Sequence, residues 1–427
     1  PSYAPFGDNG EIVVSHYSGA ASGAVGLAWS WRADKGTGDW QHFDLEGPSG
    51  DGGLLWPRMT TAGENHDVIH AIALTTPTAN GGELYQGMDG ALLYYSSSDG
   101  GTTWDHQDEL LDGITADEYL GWSGDAYEIQ ARGDVVAFLA GDAWTDFVLM
   151  KSEDAGDTWE KTVIWECPYP MFDPAAPYTV DTFYCVDGSH ALTIDQGGKV
   201  HVTFGINRAH ADDAGTYWFP LVDGLGYWNE DRPVFSNDLN ALCPYDDCVY
   251  TELVEDYNYI GWAQDINDNG EWDILGEVGA YYVSPSGMPT MLIDNQNRIY
   301  VVWAGVTETY NNDLQDYRHL WARASSNGGD WWGGFVDLTS SLVHSFDECV
   351  FPSISPNYSD DDYIHLNFQY DTEPGLHVRG DEDPIGENVI GYMKVGKDEF
   401  PIGVKEYEKA VFGYDVSQVS PNPVSGT

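Results

Sequence analysis

A short pattern of polar and apolar positions recurs along the whole chain. In each copy, a turn rich in Asp, Asn and Gly precedes a segment in which apolar residues alternate with others. Alternation with a period of two is typical of a β-strand with one buried face, so each copy predicts a strand that follows a tight turn. Six copies are present, at residues 8–14, 65–72, 132–138, 194–204, 293–303 and 360–368.

The spacing of these copies predicts the size of the repeating unit. The first apolar residue after the turn of each copy is used as an anchor, and four of the five intervals between anchors are 56 to 67 residues long. Such a length accommodates a four-stranded meander, and the remaining interval of 99 residues predicts an insertion near residues 236–285. The anchors are Ile12, Val68, Val135, Val200, Ile299 and Tyr363.

Radial repetition of four-stranded sheets produces a β-propeller, which leaves only short, protected strand edges. The six copies therefore predict an all-β fold, a six-bladed β-propeller of four-stranded antiparallel blades over residues 1–400. Residues 401–427 are expected to close a blade and then to leave the domain as a linker.

A second motif, S-x-D-x-G-x-T-W, follows three of the apolar strands. Two copies match it fully, and the third has Asn in place of Asp and Trp in place of Thr. A carboxylate or amide in a tight turn can accept backbone N–H bonds, Gly can take a positive φ, and Trp can cover the turn. The motif residues are Ser97, Asp99, Gly101 and Trp104, then Ser152, Asp154, Gly156 and Trp159, and finally Ser325, Asn327, Gly329 and Trp332.

These three turns resemble the Asp-box, or BNR repeat, of sialidase-like β-propellers. The resemblance implies a propeller scaffold with the boxes on its outer rim, away from a central site. It identifies a fold and does not by itself identify an activity.

The composition fits an all-β protein outside the cell. Aromatic residues make up 14% of the chain and there are 49 Gly, which favours a folded, turn-rich protein. With 70 acidic and 17 basic residues the formal net charge is −53, which repels nucleic acid phosphates and anionic lipid and excludes both as partners. No apolar run is long enough to span a membrane.

Five cysteines favour an oxidising compartment. Cys243 and Cys248 flank a four-residue turn and could form a disulfide, and Cys167 with Cys185 could form a second, which leaves Cys349 unpaired. Sequence alone does not fix the connectivity.

A candidate calcium loop lies inside the expected insertion. Oxygen-bearing side chains occupy positions 1, 3, 5, 7 and 9 of the loop, with Gly270 at position 6, as a hard cation with six to eight oxygen ligands requires. The loop resembles the first nine positions of an EF-hand loop, although Gly276 stands where the bidentate acid is expected. The alternative is an Asn/Asp/Gly turn without an ion. The candidate ligands are Asp265, Asn267, Asn269, Glu271 and Asp273.

The last residues carry a Ser-Pro-Asn-Pro stretch at 420–423. It resembles the start of the C-terminal sorting domain of type IX secretion cargo. The resemblance implies a bacterial protein that the outer-membrane secretion machinery exports, and that is then secreted or attached to the cell surface. A Pro-rich linker is the alternative.

No catalytic motif is complete. Sialidases as a family use three arginines, and their Arg-Ile-Pro element is absent here, since Trp56-Pro57-Arg58 has Arg and Pro in reversed order. Arg58, Arg132 and Arg208 lie near the expected starts of blades and could form an arginine triad that faces the central cavity. Among 70 acids, no pair of carboxylates stands out.

The favoured function is therefore a secreted or cell-surface bacterial propeller that binds a glycan or a protein, or takes part in adhesion or surface assembly. The alternative is a glycoside hydrolase of sialidase-like type that uses the central face of the propeller. A third reading is a module within a larger multidomain protein. Whether the chain is an enzyme is left uncertain, leaning towards no.

Overall fold

The computed structural model describes residues 1–19, 23–48, 53–173, 176, 179–245, 248, 251–253, 258–276, 278–355, 362–377 and 384–401. In these ranges the regular structure is β-strand, apart from short 3-10 helices at Thr78–Asn80 and Lys397–Glu399. No helix in the described part of the chain is long and apolar enough to cross a membrane.

The described strands form six sheets in which neighbouring strands run antiparallel. Sheet one contains β1 (Ser2–Phe6), β2 (Gly10–Gly19), β3 (Gly23–Arg32) and β4 (Gln41–Glu46). Sheet two contains β5 (Leu54–Ala62), β6 (Val68–Thr75), β7 (Leu92–Ser97) and β8 (His106–Glu109). Sheet three contains β9 (Tyr127–Arg132), β10 (Val135–Ala140), β11 (Phe147–Ser152) and β12 (Glu160–Trp165).

The other three sheets follow in chain order. Sheet four contains β13 (Val180–Ile194), β14 (Val200–Asp212), β15 (Gly215–Trp218), β16 (Leu225–Asn229) and β17 (Tyr259–Gly261). Sheet five contains β18 (Ser286–Ile293), β19 (Ile299–Asn311), β20 (Asp316–Ser325) and β21 (Val336–Asp337). Sheet six contains β22 (Glu348–Ile354), β23 (Tyr363–Asp371) and β24 (Val389–Gly396).

The predicted all-β fold of antiparallel meanders is confirmed, and each of the six repeats falls in a different sheet. Four sheets have four strands. Sheet four has a fifth because β15 adds a hairpin to β14, and sheet six shows three within the described ranges. The closure of six blades into one ring stays a prediction.

The turn between the first two strands of a sheet explains why the fourth and fifth repeats match best. Asp195 Oδ1 accepts N–H bonds from Gly197 (2.7 Å) and Lys199 (2.9 Å). Asp294 Oδ1 does the same for Gln296 (2.8 Å) and Arg298 (3.0 Å). Each carboxylate satisfies backbone donors that the tight turn leaves unpaired, so the sequence repeat reflects a repeated turn geometry.

The chain divides into two compact units. The first consists of Pro1–Val200, Ala209–Tyr217 and Asn229–Leu239, and the second of His201–Arg208, Trp218–Trp228 and Asn240–Thr427. Each unit has an apolar core, to which Trp29, Tyr94 and Phe138 belong in the first. Tyr300, Leu366 and Phe368 belong to a core of the second.

The predicted insertion is not a single irregular segment. Its residues include β17, the outer strand of sheet four. The segment from residue 402 onwards, where blade closure and the sorting-domain resemblance are expected, lies outside the described residues.

Candidate functional site

The three predicted Asp-box turns each connect the third and fourth strands of a sheet. Ser97, Ser152 and Ser325 are the last residues of β7, β11 and β20. The Ser97 hydroxyl accepts the Gly101 N–H (2.8 Å) and contacts Asp99, whose carboxylate accepts the N–H (2.7 Å) and hydroxyl (2.8 Å) of Thr103. These bonds hold the pKa of the Asp99 carboxyl below its usual range.

The other two turns repeat this network. Asp154 accepts the N–H (2.8 Å) and hydroxyl (2.7 Å) of Thr158. Asn327 Oδ1 accepts the Trp331 N–H at 3.0 Å and no threonine hydroxyl, because Trp331 occupies the Thr position. The amide oxygen of Asn327 thus keeps the backbone bond that the carboxylate makes in the other two turns, and only the bond to a hydroxyl is lost. This accounts for the tolerated departure from the motif.

A tyrosine of the preceding sheet fills the space beside the glycine in two of these turns. A Cβ on Gly156 would lie 2.0 Å from the hydroxyl of Tyr94, and one on Gly329 would lie 2.1 Å from that of Tyr227. His70 Nδ1 lies 2.7 Å from the first hydroxyl and His201 Nδ1 lies 2.7 Å from the second. The two turns therefore join neighbouring sheets.

The motif tryptophans complete the contact between sheets. Trp159 packs edge-on against Tyr94 at 4.9 Å, and Trp332 against Tyr227 at 5.1 Å. Trp104 packs on Trp29 of sheet one at 5.2 Å. These contacts are structural, and assignment of the turns to the Asp-box family stays a prediction.

The candidate calcium loop folds around Asp265. The carboxylate of Asp265 accepts N–H bonds from Asn269 (3.2 Å) and Gly270 (2.7 Å), and Gly270 has a φ of 90°. Asn269 Nδ2 donates to Asp273 Oδ2 at 2.6 Å. Asn267 and Glu271 also lie in the loop, and the set offers the oxygen donors that calcium prefers.

Glu308, a buried residue of β19, fixes the loop from outside. Its Oε1 accepts the N–H groups of Ile266 (2.6 Å) and Asn267 (2.9 Å), and its Oε2 accepts that of Asp273 (2.8 Å). Among the described residues, no group of three or more His, Cys, Asp or Glu side chains is arranged to hold a metal.

The structure contains one of the two disulfide bonds that the sequence suggested. Cys243 and Cys248 form a disulfide bond. Cys167 and Cys185 are buried free thiols, so the second proposed bridge is wrong for this structure. Burial raises the pKa of the Cys167 thiol to about 12 and keeps it protonated, the form that does not react.

A different group of residues has the character of a functional site. Alternation along β5 and β9 leaves four residues partly exposed, while the side chains between them, such as Tyr127 and Ile129, are buried. The four are Trp56, Arg58, Glu128 and Gln130. They belong to the first strands of sheets two and three.

Arg58 is held in an ion pair. Its Nη2 lies 2.5 Å from Asp125 Oδ1, and its guanidinium lies over the ring of Tyr127 at 5.7 Å. Arg132 is at the opposite end of β9, where Nη1 donates to the Ile194 carbonyl (2.9 Å). Arg58 and Arg132 are thus separated by the length of a strand, which excludes the proposed arginine triad. Arg208, its third member, lies over the Phe219 ring in the second unit.

Glu128 has the electrostatic character of a proton donor. Burial raises the pKa of its carboxyl to about 7, and this effect outweighs the Gln130 hydrogen bond (3.3 Å) and the positive charge of Arg58, which both lower it. A carboxylic acid that is still protonated near neutral pH is a candidate for a functional group.

Asp142 is a further carboxylate on sheet three, three residues beyond Leu139, which pairs with Glu128. It follows β10, where the Gly141 N–H donates to the Ala126 carbonyl (3.1 Å) and extends the ladder between β9 and β10. Its Oδ1 accepts the Trp144 N–H (2.8 Å), and its Oδ2 accepts the Ser123 hydroxyl. The ladder therefore places Asp142 beside the segment that carries Asp125.

Trp56 adds an aromatic face held in an unusual backbone conformation. Its φ is 45°, although a Pro follows and a bulky residue rarely takes positive φ. The Tyr127 hydroxyl donates to the Trp56 carbonyl (2.7 Å), and the indole ring covers Gly124, where a Cβ would lie 2.7 Å away. The surroundings thus impose a strained position that presents the half-buried ring, and such strain is common at functional sites.

The sequence contained a partial signal for this site. In the sequence, Trp56-Pro57-Arg58 stands out only as a departure from the Arg-Ile-Pro element and Arg58 only as a member of the predicted arginine triad, and nothing singles out Glu128. The same X-Pro arrangement, with positive φ at X, recurs at Met288-Pro289 and Phe351-Pro352 in the first strands of sheets five and six. An alignment of the first strands of the repeats would have revealed it.

Comparison with known proteins gives limited similarity. No family model matches the chain. A xyloglucanase from Paenibacillus sp is 31% identical over 123 residues, which is 28% of this chain and 12% of that protein. The chain thus spans only a small part of the length of this curated relative.

Solved structures with related strand arrangements are distant. An α-L-arabinanase of Penicillium chrysogenum, in complex with arabinobiose, has a TM-score of 0.43 at 12% identity, with 92% of each chain covered. The NanB sialidase of Streptococcus pneumoniae (K499G mutant) has a TM-score of 0.40 at 10% identity, with 87% of this chain and 65% of that chain covered. At these TM-scores neither similarity supports a conclusion on activity or family, so the candidate site depends on its own geometry.

Proposed function

We propose that the chain is a glycoside hydrolase that acts at the site formed by Trp56, Arg58, Asp125, Glu128 and Asp142. The observation that carries the proposal is Glu128, a partly exposed residue at the start of β9 whose carboxyl has a pKa raised by burial to about 7. Hydrolysis of a glycosidic bond needs an acid that is protonated near neutral pH and a second carboxylate nearby. The local similarity to a xyloglucanase adds support.

The reaction can be written with residues of this site alone. The Glu128 carboxyl donates its proton to the glycosidic oxygen as the bond from that oxygen to the anomeric carbon breaks. The Asp142 carboxylate accepts a proton from a water molecule, whose oxygen bonds to the anomeric carbon. The products are two sugars with free hydroxyls, and the starting state is restored when Asp142 releases its proton to solvent and Glu128 regains one from solvent.

The remaining side chains bind and orient the substrate. The Trp56 ring offers a flat apolar face on which a pyranose or furanose ring can stack. Arg58 and Asp125, fixed by their ion pair, offer hydrogen-bond donors and acceptors for sugar hydroxyls.

The test is the Glu128→Gln variant, which retains shape but has no proton to donate. We expect its kcat on chromogenic glycosides to fall by roughly 10²- to 10⁴-fold, the usual contribution of general acid catalysis. Glu160→Gln, an exposed position on β12 of the same sheet, is the matched control and should leave kcat unchanged. Equal activity of Glu128→Gln and the wild type would sink the assignment.

Glycan binding without hydrolysis is the second candidate, because stacking on Trp56 needs no acid. Calorimetry separates the two functions. A binding module would bind oligosaccharides and lose affinity in Trp56→Ala, yet would release no reducing sugar with or without Glu128.

We also propose that loop 265–273 binds calcium through oxygens of Asp265, Asn267, Asn269, Glu271 and Asp273. The turn around Asp265 and the positive φ of Gly270 support this proposal. Calcium titrated into chelator-treated protein should give a binding heat that Asp265→Ala abolishes. No heat with the wild type would leave the loop as an ion-free turn.

The cellular setting is proposed from the sequence alone. Export by the outer-membrane secretion machinery, followed by release or attachment at the bacterial surface, rests on the Ser-Pro-Asn-Pro stretch at 420–423. A fusion of residues 401–427, extended by a complete sorting domain, to a periplasmic reporter would test it through export of the reporter.

A further inference from the structure

The positive charge of Arg58 at the candidate site is already paired with a negative charge. Arg58 is the one guanidinium among the described residues assigned to this site, and its Nη2 contacts Asp125 Oδ1 at 2.5 Å. Asp142 and, once ionised, Glu128 add negative charge. The whole chain carries a formal net charge of −53, which further lowers the potential at the site.

The carboxylate of an acidic sugar would therefore approach a guanidinium, that of Arg58, that is already in an ion pair with Asp125. At Arg58, the carboxylate of the sugar would compete with that of Asp125, which would remain beside it as a like charge. An uncharged sugar has no such requirement, because its hydroxyls can donate to Asp125 and Asp142 while its ring stacks on Trp56.

We propose that the site takes uncharged glycan chains, and that Asp125 is the specificity-determining residue that keeps acidic sugars out by occupying Arg58. This inference rests on the proposed function, since it names the substrate class of the same site. It separates the site chemically from one that binds a carboxylated sugar through free guanidinium groups.

The geometry favours exclusion by Asp125 over exclusion by burial. Arg58 is 30% exposed and Asp125 is 64% exposed, so a ligand can approach both. Arg58 Nη1 also donates to the carbonyl of the neighbouring Pro57 (3.3 Å). The orientation of the guanidinium is therefore set by the ion pair and this bond, and not by enclosure in a deep pocket. Removal of the Asp125 charge should thus make Arg58 available without rebuilding the site.

The experiment measures binding in a Glu128→Gln background, so that hydrolysis does not consume the ligand. Xyloglucan heptasaccharide and cellohexaose serve as uncharged probes, and trigalacturonate and sialyllactose as acidic probes, all at low ionic strength. We expect the background protein to bind an uncharged probe at least about tenfold more tightly than either acidic probe.

Adding Asp125→Asn should strengthen binding of an acidic probe by about tenfold, the usual scale for one charge-assisted pair, while binding of the uncharged probe stays within about threefold. A further Arg58→Gln substitution should remove that gain. Asp44→Asn, which removes an exposed charge on β4 of sheet one, is the charge-matched control and should leave all four affinities unchanged.

Two outcomes overturn this inference while leaving hydrolysis at Glu128 intact. One is equal or tighter binding of acidic probes by the background protein. The other is an acidic-probe affinity that does not rise when Asp125→Asn is added to a variant with an unchanged circular dichroism spectrum. Failure of the proposed function is seen separately, as unchanged kcat in Glu128→Gln, and does not depend on these affinities.

Discussion

At the scale of single residues, the competition between burial and nearby charge decides what the site can do. Arg58 attracts the ionised form of Glu128 and Gln130 donates a hydrogen bond to it, yet burial dominates and raises the pKa to about 7. Asp99 is the opposite case, because an exposed carboxyl that accepts several hydrogen bonds has a lowered pKa. Two carboxyls of one unit thus differ in protonation for stated physical reasons.

The raised pKa of Glu128 predicts a stability that depends on pH. The folded protein holds this proton up to about pH 7, whereas the unfolded chain releases it near the ordinary value of 4.5, so stability falls as pH rises between the two values. Glu128→Gln cannot ionise. It should gain roughly 1–3 kcal/mol relative to the wild type at pH 8, and much less at pH 4.

Urea denaturation at the two pH values measures this difference, with Glu160→Gln as the control that should show none. A constant difference between wild type and Glu128→Gln across the range would contradict the raised pKa. If Glu128 is the general acid, hydrolysis should also decline above pH 7 as its proton is lost.

Residues of this kind were the hardest to predict from sequence. Glu128 is one of 70 acids, and its pKa depends on burial that only the packing of β9 against its neighbours creates. The structural residues were easier, because Ser, Asp, Gly and Trp at fixed spacing encode a turn within eight residues. A motif within a few residues can be recognised in the sequence, whereas the burial of a side chain by residues distant in the chain cannot.

At the scale of elements, the turns between third and fourth strands do more than reverse the chain. The turn at 152–159 on sheet three meets Tyr94 of sheet two, and the turn at 325–332 on sheet five meets Tyr227 of sheet four. The sequence predicted the turns and the alternating strands. It did not predict the tyrosines and histidines that contact the turns, because those residues lie about 60 to 130 positions earlier in the chain.

Gly156 tests this contact between elements. Its φ of 96° and the Tyr94 hydroxyl at 2.0 Å from a built Cβ both oppose a side chain. Gly156→Ala should destabilise the protein by roughly 2–4 kcal/mol, from strain and overpacking together. Gly133→Ala, at a φ of 61° with no atom near its Cβ, should cost only about 1 kcal/mol.

A double-mutant cycle isolates the steric part of that cost. Tyr94→Phe removes the obstructing hydroxyl, so it should be less harmful in the Gly156→Ala background than in the wild type. Thermal or urea unfolding of the four proteins gives the coupling energy. Strict additivity would show that the tyrosine hydroxyl and the glycine do not compete for the same space.

At the scale of the whole molecule, the charge is the dominant global property. The net charge of −53 opposes every compact arrangement of the chain, and only 17 Lys and Arg residues are available to offset it. Part of that basic set is committed to local pairs, such as Lys151 with Glu230 (2.9 Å) and Arg298 with Asp294 (2.6 Å). The repulsion left over is long-ranged and is screened by salt.

The melting temperature should therefore rise with ionic strength. Between about 0.02 M and about 0.5 M NaCl we expect an increase of roughly 5 °C, measured by differential scanning calorimetry in the presence of chelator so that the candidate calcium site does not contribute. An uncharged osmolyte at matched osmolality is the control and should produce a smaller rise. A melting temperature that falls or stays constant with NaCl would show that self-repulsion is not limiting.

The all-β architecture was predictable at this scale because a repeat of about 64 residues appears six times in one sequence. Ring closure and the boundary at residue 400 remain predictions, since they depend on the chain from residue 402 onwards. Function was less predictable than fold, because a repeat reports what its copies share, whereas the candidate site uses residues that differ between them.

The glycine contacts with Tyr94 and Tyr227 also bear on how the chain unfolds. At these two places a sheet is coupled to the sheet before it through one turn, as neighbouring units are coupled in a repeat protein. A substitution that weakens one such contact lowers the free energy needed to unfold one sheet while its neighbour remains folded. Gly156→Ala should then change not only the unfolding free energy but also its cooperativity, with sheets one and two exchanging their amide protons independently of sheet three.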